Sequence, residues 1–369
     1  MKVILQVFTG FRRTSAFHAE KIIDRIEAFA SVNQVDKIII GWCTDKSVYR
    51  EVGSFLHSAG IQMLLWLPVF SGTIGNTRPD QAKDLFGRPF PIPRTEDEAS
   101  FHFVCPSSGR NIRIVENTYE EYFSDCGFDG VFLDRIRGRS FAAGVPGVLS
   151  CGCERCRKAF LEKGVDIDKV RELYDNLGDA FFDIASWPAD GAFVLENPAA
   201  QSFLTAREEI IAEAVTELTG YFRNRGLIVG LDLFAPVISR LVGQNYALIT
   251  KDADFIKPML YRRTSAPAGI GYEYSLFDRQ VPEARGKITL SLNRAFLDSQ
   301  LRAIRSLPCE KYPGIEINYD RELVKTDAGY IRESLAAVRE HGFDGATLCW
   351  NIMTAPDGHI VTVEKNGLS

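Results

Sequence analysis

Eight short apolar runs recur along this chain, with helical patterns between them. They are KVILQVF (2–8), KIIIGWC (37–43), MLLWLPV (63–69), GVFLD (130–134), LIVGLDLF (227–234), DFIKPMLY (254–261), GIEINY (314–319) and GATLCW (345–350). Most are continuously apolar rather than alternating, which suits strands covered by protein on both faces. Amphipathic patterns over 18–31, 48–60, 202–226 and 328–342 lie between them, and several end in glycine, a common helix stop. Eight strands alternating with helices is the count of a (β/α)8 TIM barrel. A doubly wound sheet is the competing topology, but no glycine-rich dinucleotide turn follows the first run.

The pattern has an internal echo. GFDG occurs at 127–130 and again at 342–345, each time leading into a strand. Asp129 and Asp344 then sit in helix-to-strand turns at the barrel's bottom, where a structural role is expected. Two long insertions depart from the repeat, at roughly 71–115 after the third strand and 138–200 after the fourth. The last strand is followed by too little chain for a full helix. No linker-like composition appears, so residues 1–369 are expected to form a single domain.

With 369 residues, 46% of them hydrophobic, the chain can bury a sizeable core. Its net charge of −5 and lack of a basic stripe argue against a nucleic-acid partner. No run is long enough to span a bilayer, so no membrane role is expected. The N-terminal MKVILQVFTG reads as a first strand rather than a signal peptide. A cytoplasmic protein with eight mostly reduced cysteines is therefore expected, its oligomeric state left open.

Four of those cysteines stand apart. Cys151, Cys153 and Cys156 have the C-x-C-x-x-C spacing of metal ligands, and Cys105, in FVCPSSGR of the other insertion, is the best fourth. Four thiolates make a closed structural zinc site with no open coordination position, a staple rather than a reaction centre. Redox-active thiols and an iron–sulfur cluster are the alternatives. No catalytic cofactor is expected. The five histidines form no H-x-H or HExxH pair.

Cys105 together with CGCERCRKAFLEK (151–163) resembles the zinc-cysteine cluster of glycoside hydrolase family 42 β-galactosidases, which are (β/α)8 barrels. The likeness covers about 60 residues, 103–163, and stops where that family has Asn-Glu at the end of strand 4; here Leu133 and Asp134 stand there. GFDGVFLD followed by such cysteines is more similar to uncharacterised glycosyl-hydrolase-like barrels. The resemblance implies a glycosidase and a carbohydrate substrate, but not a galactosidase.

Barrel enzymes place catalytic groups at the C-terminal ends of strands. Carboxylates there are Asp134 (strand 4), Asp232 (strand 5) and Glu316 (strand 7), with Asp45 just past strand 2. Glycoside hydrolysis needs two such groups flanking one bond. By likeness to retaining hydrolases on this barrel, Asp134 is the acid/base and Glu316 the nucleophile. By likeness to amylase-type barrels, Asp134 is the nucleophile and Asp232 supplies the acid. A salt bridge is the structural alternative for Asp134 and Glu316, a loop-holding hydrogen bond for Asp232. Lys257, on a strand, is expected to face structure because Pro258 follows it.

Trp42, Trp66 and Trp350 lie near strand ends, with Tyr261 and Tyr319 comparably placed; such flat faces suit sugar rings, though barrel packing also uses them. Arginines crowd the same ends: Arg12 and Arg13, Arg135 and Arg137, Arg262 and Arg263. Unless they pair with local acids, they point to an acidic saccharide gripped through bidentate contacts. A carbohydrate-binding barrel that has lost catalysis is the second reading.

Overall fold

The computed structural model describes residues 1–10, 13–71, 77–90, 102–281 and 290–360. Eight parallel strands close into a barrel: β1 (Lys2–Phe8), β2 (Gln34–Gly41), β3 (Gln62–Pro68), β4 (Gly130–Asp134), β5 (Ile228–Phe234), β6 (Phe255–Met259), β7 (Gly314–Glu316) and β8 (Gly345–Cys349). Closure comes from β8 pairing with β1 (Leu5 opposite Leu348) and β7 bridging to β6 (Gly314 opposite Met259). The seventh strand is shorter than the apolar run at 314–319 suggests. Pro313, lacking an N–H, separates it from the Glu310–Lys311 segment that pairs beside Phe255 and Ile256.

Among the described residues, the helices of nine or more residues are α1 (Ala19–Ala30), α2 (Lys46–Ser58), α3 (Gly109–Tyr122), α4 (Glu154–Glu162), α5 (Ile167–Leu177), α6 (Pro198–Arg223), α7 (Ile270–Gln280), α8 (Arg294–Ile304) and α9 (Ala328–Glu340). The α6 helix begins ahead of its periodic pattern because the Asn197 side chain accepts from the Ala199 and Ala200 N–H groups and Pro198 takes the first helical position. The insertion after β4 folds into α4, α5 and a two-stranded ribbon, Ile184–Ser186 with Val194–Leu195. After β8 the described residues hold only two 3-10 turns, Ile352–Thr354 and Asp357–His359. Arg25 of α1 reaches this segment, donating from Nε to the Ile352 carbonyl (2.8 Å) and pairing with Asp357 (2.6 Å). Among the described residues no helix is long and apolar enough to cross a membrane.

Inside the barrel, Ile4, Ile39, Leu64, Phe132, Phe255 and Tyr312 form a buried apolar plug of their own. Phe132 and Phe255 stack with centroids 6.0 Å apart, across a strand whose Gly230 leaves the room: a Cβ there would lie 2.1 Å from the Phe255 ring. Side chains two residues further along a strand point the same way, one layer higher. That step leads from Ile4 to Gln6, Leu64 to Trp66, Phe132 to Asp134 and Phe255 to Lys257. The second layer is thus polar, built directly on the plug.

At the opposite end the acids in helix-to-strand turns act structurally, as expected. Asp129 accepts the Met63 N–H (2.7 Å) and Asp344 the Lys311 N–H (3.1 Å). Asp254 does the same for Val229 (2.8 Å). Asp129 and Asp254, each just before a strand, cap the start of the strand before it, and Asp344 caps the Glu310–Lys311 segment that precedes β7.

Candidate active site and cysteine cluster

The polar layer opens into a cleft of about 310 Å³ at the C-terminal ends of the strands, within the usual range for small-molecule sites. Its floor holds Gln6, Asp134, Asp232 and Lys257; Trp66, Tyr261 and Trp350 form apolar walls. Arg135 and Arg137 line one side and the Ala266–Ala268 loop another. Among the described residues, the non-glycine positions with left-handed φ are Arg135 (54°) and Ala268 (68°), and both line this cleft. Such backbone conformations cost about 1–3 kcal/mol each and gather at functional sites.

Asp134 and Asp232 are neighbours by register, since Leu133 lies opposite Leu231 on parallel strands β4 and β5. Adjacent strands run about 4.8 Å apart, so the two carboxyl groups rise side by side. Asp134 is half-buried and accepts from Trp66 Nε1 (2.9 Å) and from the Arg135 N–H (2.5 Å). Asp232 is buried, with Oδ2 3.0 Å from Lys257 Nζ and Oδ1 without a hydrogen-bond partner. Burial drives its pKa up to about 7 against the pull of Lys257, and the Asp134 carboxylate adds to the rise. Burial alone would depress Lys257, but Asp232 and other nearby acidic groups keep its pKa raised. A carboxyl that holds its proton to near neutrality beside a hydrogen-bonded carboxylate can transfer protons to one bound molecule.

Glu316 stands elsewhere. It is fully buried, accepts the Arg263 N–H through Oε1 (2.6 Å), and is not among the residues lining the cleft. Burial raises its pKa. Its backbone contact fixes the start of the loop that carries Ala266–Ala268 to the cleft. Trp42 also lies outside the lining: it packs edge-on to Trp66 (5.7 Å) beneath the Arg135 guanidinium, 4.3 Å from its ring. Arg262 is turned away, paired with Glu333 (3.0 Å) and Ser334 (2.8 Å). Asp45 caps α2, Tyr319, Arg13 and Arg263 are exposed, and Arg12 lies outside the described residues.

The cleft thus brings together Asp134, Asp232, Trp66, Arg135, Arg137, Tyr261 and Trp350 of the residues singled out by sequence. Lys257 was expected to face structure and instead forms the floor. Strand periodicity carried the signal, since Lys257 follows plug residue Phe255 by two. Gly314, where a Cβ would lie 2.8 Å from Lys257 Cε, leaves its side chain room.

Cys105, Cys151, Cys153 and Cys156 meet above the barrel with all four sulfurs within 4.8 Å of one another. Cys105 Sγ lies 3.4 Å from both Cys153 and Cys156 Sγ. That is far beyond a disulfide bond, about 2.05 Å, and near the edge of about 3.8 Å in a tetrahedron of Zn–S bonds about 2.3 Å long. Hydrogen bonds from Cys105, Cys151 and Cys156 hold Cys153 far below the ordinary thiol range. The set fits a metal ion. The two insertions interlock around it: Gly152 N–H donates to the Lys83 carbonyl (3.2 Å), and Lys83 N–H to Cys151 Sγ (3.3 Å).

No family model and no curated protein matches the chain. Solved structures do resemble it. The glycoside hydrolase domain of PgaB (BpsB) from Bordetella bronchiseptica aligns with TM-score 0.59 at 13% identity, covering 95% of this chain and 94% of that one. The catalytic domain of β-amylase from Paenibacillus polymyxa aligns with TM-score 0.56 at 13% identity, covering 97% and 94%. Alpha-L-fucosidase isoenzyme 2 from Paenibacillus thiaminolyticus gives TM-score 0.54 at 12% identity over 97% of this chain and 48% of that one. At these identities what is shared is the (β/α)8 barrel.

Proposed function

We propose that this chain is a glycoside hydrolase that cleaves an acidic saccharide, with Asp134 and Asp232 as its working carboxyl groups. The observation that carries the reading is the side-by-side placement of these acids on β4 and β5, on the floor of an aromatic- and arginine-lined cleft. Asp232, pushed up to about 7, is the proton donor to the leaving oxygen. Asp134, fixed by Trp66 Nε1 and the Arg135 N–H, faces the sugar carbon as nucleophile or as base for water. Lys257 keeps Asp232 oriented. The barrel shared with the glycoside hydrolase domain of PgaB (BpsB) and with the catalytic domain of β-amylase supports this reaction class. The cysteine quartet holds a structural zinc that supplies no chemistry to the cleft.

A carbohydrate-binding barrel without turnover is the second reading, favoured by the ion pair that engages Asp232. One experiment separates them: a panel of neutral, uronic and sulfated glycosides assayed with the wild type, Asp134→Asn and Asp232→Asn. Hydrolysis lost in folded variants supports the enzyme. Binding without turnover by the wild type supports the second reading, and cleavage of neutral glycosides alone removes the acidic-substrate proposal.

A further inference from the structure

Three arginines occupy five residues, RIRGR at 135–139, immediately after β4. Arg135 and Arg137 face the cleft; Arg139 does not. It is 6% exposed, with its guanidinium 4.0 Å from the Phe90 ring and 5.4 Å from Phe103. Its side chain makes no hydrogen bond and no ion pair among the described residues, and its Nε is buried without a partner. Burial, and then the neighbouring Arg137, press its pKa down to about 10. Arg137 is itself 6% exposed, between Phe103 (4.9 Å) and Phe234 (4.7 Å). Both arginines, with Phe103, Ser140, Ala142 and Ala143, line a recess of about 10 Å³, room for one water-sized oxygen such as the tip of an oxyanion. Arg137 lines the cleft as well, so the recess adjoins it.

The other buried arginines nearby are differently engaged. Arg207 donates to the carbonyls of Ser150 (3.2 Å), Leu241 (3.3 Å) and Arg139 (3.0 Å), holding the arginine-rich segment from behind. Arg240 is paired with Glu208 (2.8 Å). A buried guanidinium that has neither carbonyl nor carboxylate partner among the described residues is costly, and an anion would relieve that cost. Phe90 and Phe103 pack against Arg139, and its unpartnered Nε, with the neighbouring guanidinium N–H groups, can make a two-pronged contact with an oxyanion.

We propose that Arg137 and Arg139 form a second subsite, beside the cleft, for an oxyanion carried on the saccharide: a uronate carboxylate or a sulfate ester. The subsite rests on the saccharide reading above and places a charged group on a sugar unit next to the one at the acids.

Titrating sodium sulfate into the full chain at constant ionic strength, followed by calorimetry and thermal midpoint, tests this directly. Saturable binding is expected in the wild type and in Asp134→Asn. It should weaken roughly tenfold or more in Arg139→Gln, which loses a charge-assisted contact. Ala142→Leu, which fills the recess and keeps both guanidinium groups, should weaken it similarly. Competition by uronate or by sulfated oligosaccharides, against a neutral oligosaccharide of equal length, then identifies the anion's source. Equal sulfate affinity in the wild type and both recess variants overturns the proposal, as does the absence of saturable binding in the wild type. Failure of the hydrolase reading would show as no turnover on any glycoside while leaving the sulfate titration unchanged, so the two fail separately.

Discussion

Asp232 and Lys257 sit opposite each other on β5 and β6, an acid and a base in a place where an unpaired charge would be costly. A folded-state pKa raised to about 7 means that Asp232 still carries its proton at mildly acidic pH, and the proton is the working one. Activity is therefore expected to fall as pH rises through about 7, and a pH–rate profile reads this alkaline limb directly. Asp134→Asn should lower kcat by about 10²–10⁴-fold with the thermal midpoint nearly unchanged, because the amide keeps an oxygen for the Trp66 or Arg135 contact. Glu316→Gln discriminates sharply between the strand-5 and strand-7 assignments. Glutamine retains an acceptor for the Arg263 N–H, so kcat should stay within about threefold of wild type if Glu316 only holds the loop. A nucleophile could not be so replaced, and a drop as deep as that of Asp134→Asn would return the strand-7 carboxylate to the reaction. The sequence made all three acids visible as charges ending apolar strands. It did not reveal which of them shared a cavity, because that depends on the short β7 and on which way the loop after β6 turns. Arg262 illustrates the limit: it is adjacent in sequence to the cleft residue Tyr261, but its partners Glu333 and Ser334 come from α9.

At the level of strands and helices, the chain announced itself most clearly where one physical rule acted alone. The β1 and β4 strands match their apolar runs end to end, since continuous burial on both faces was the only requirement. The seventh strand did not, because Pro313 and the exit after Glu316 override hydrophobicity. The GFDG echo was legible for the same reason as β1: a turn acid before a strand has one local task. Its form in the folded protein is a repeated cap, with Asp129 and Asp254 accepting an N–H at the start of the preceding strand and Asp344 one in the Glu310–Lys311 segment ahead of β7. Only two of these lie in the repeated motif, so Asp254 escaped notice. Asp254→Ala leaves the Val229 N–H without its acceptor and should cost about 1–3 kcal/mol in chemical denaturation. Turnover per folded molecule should not change, because the cap lies at the opposite end of the barrel from the cleft.

Across the whole molecule, the two long insertions meet at the cysteine quartet, and that junction backs onto the arginine segment. The Ser150 carbonyl, next to Cys151, accepts from the same Arg207 that holds Arg139, and Gly138 leaves room there for the Arg207 guanidinium, which would lie 2.3 Å from a Cβ. A metal bound by the quartet would therefore brace one wall of the recess without touching the reacting carboxyl groups. Ligand spacing in the sequence was enough to find the four thiols, since C-x-C-x-x-C leaves few geometries. The coupling to Arg139 was not legible, because it passes through a buried arginine on α6, far along the chain. Binding energy available only to the folded form adds directly to stability. Cys153→Ser should consequently release about one equivalent of zinc per chain, by metal analysis, and lower the thermal midpoint. Its effect on function should be uneven. Sulfate affinity should drop with the loss of bracing, whereas kcat on a short neutral-ended substrate, measured well below the new midpoint, should persist. Loss of turnover in a variant that remains folded would mean that the metal reaches the chemistry, and zinc retained at full occupancy would mean that these four sulfurs are not its ligands.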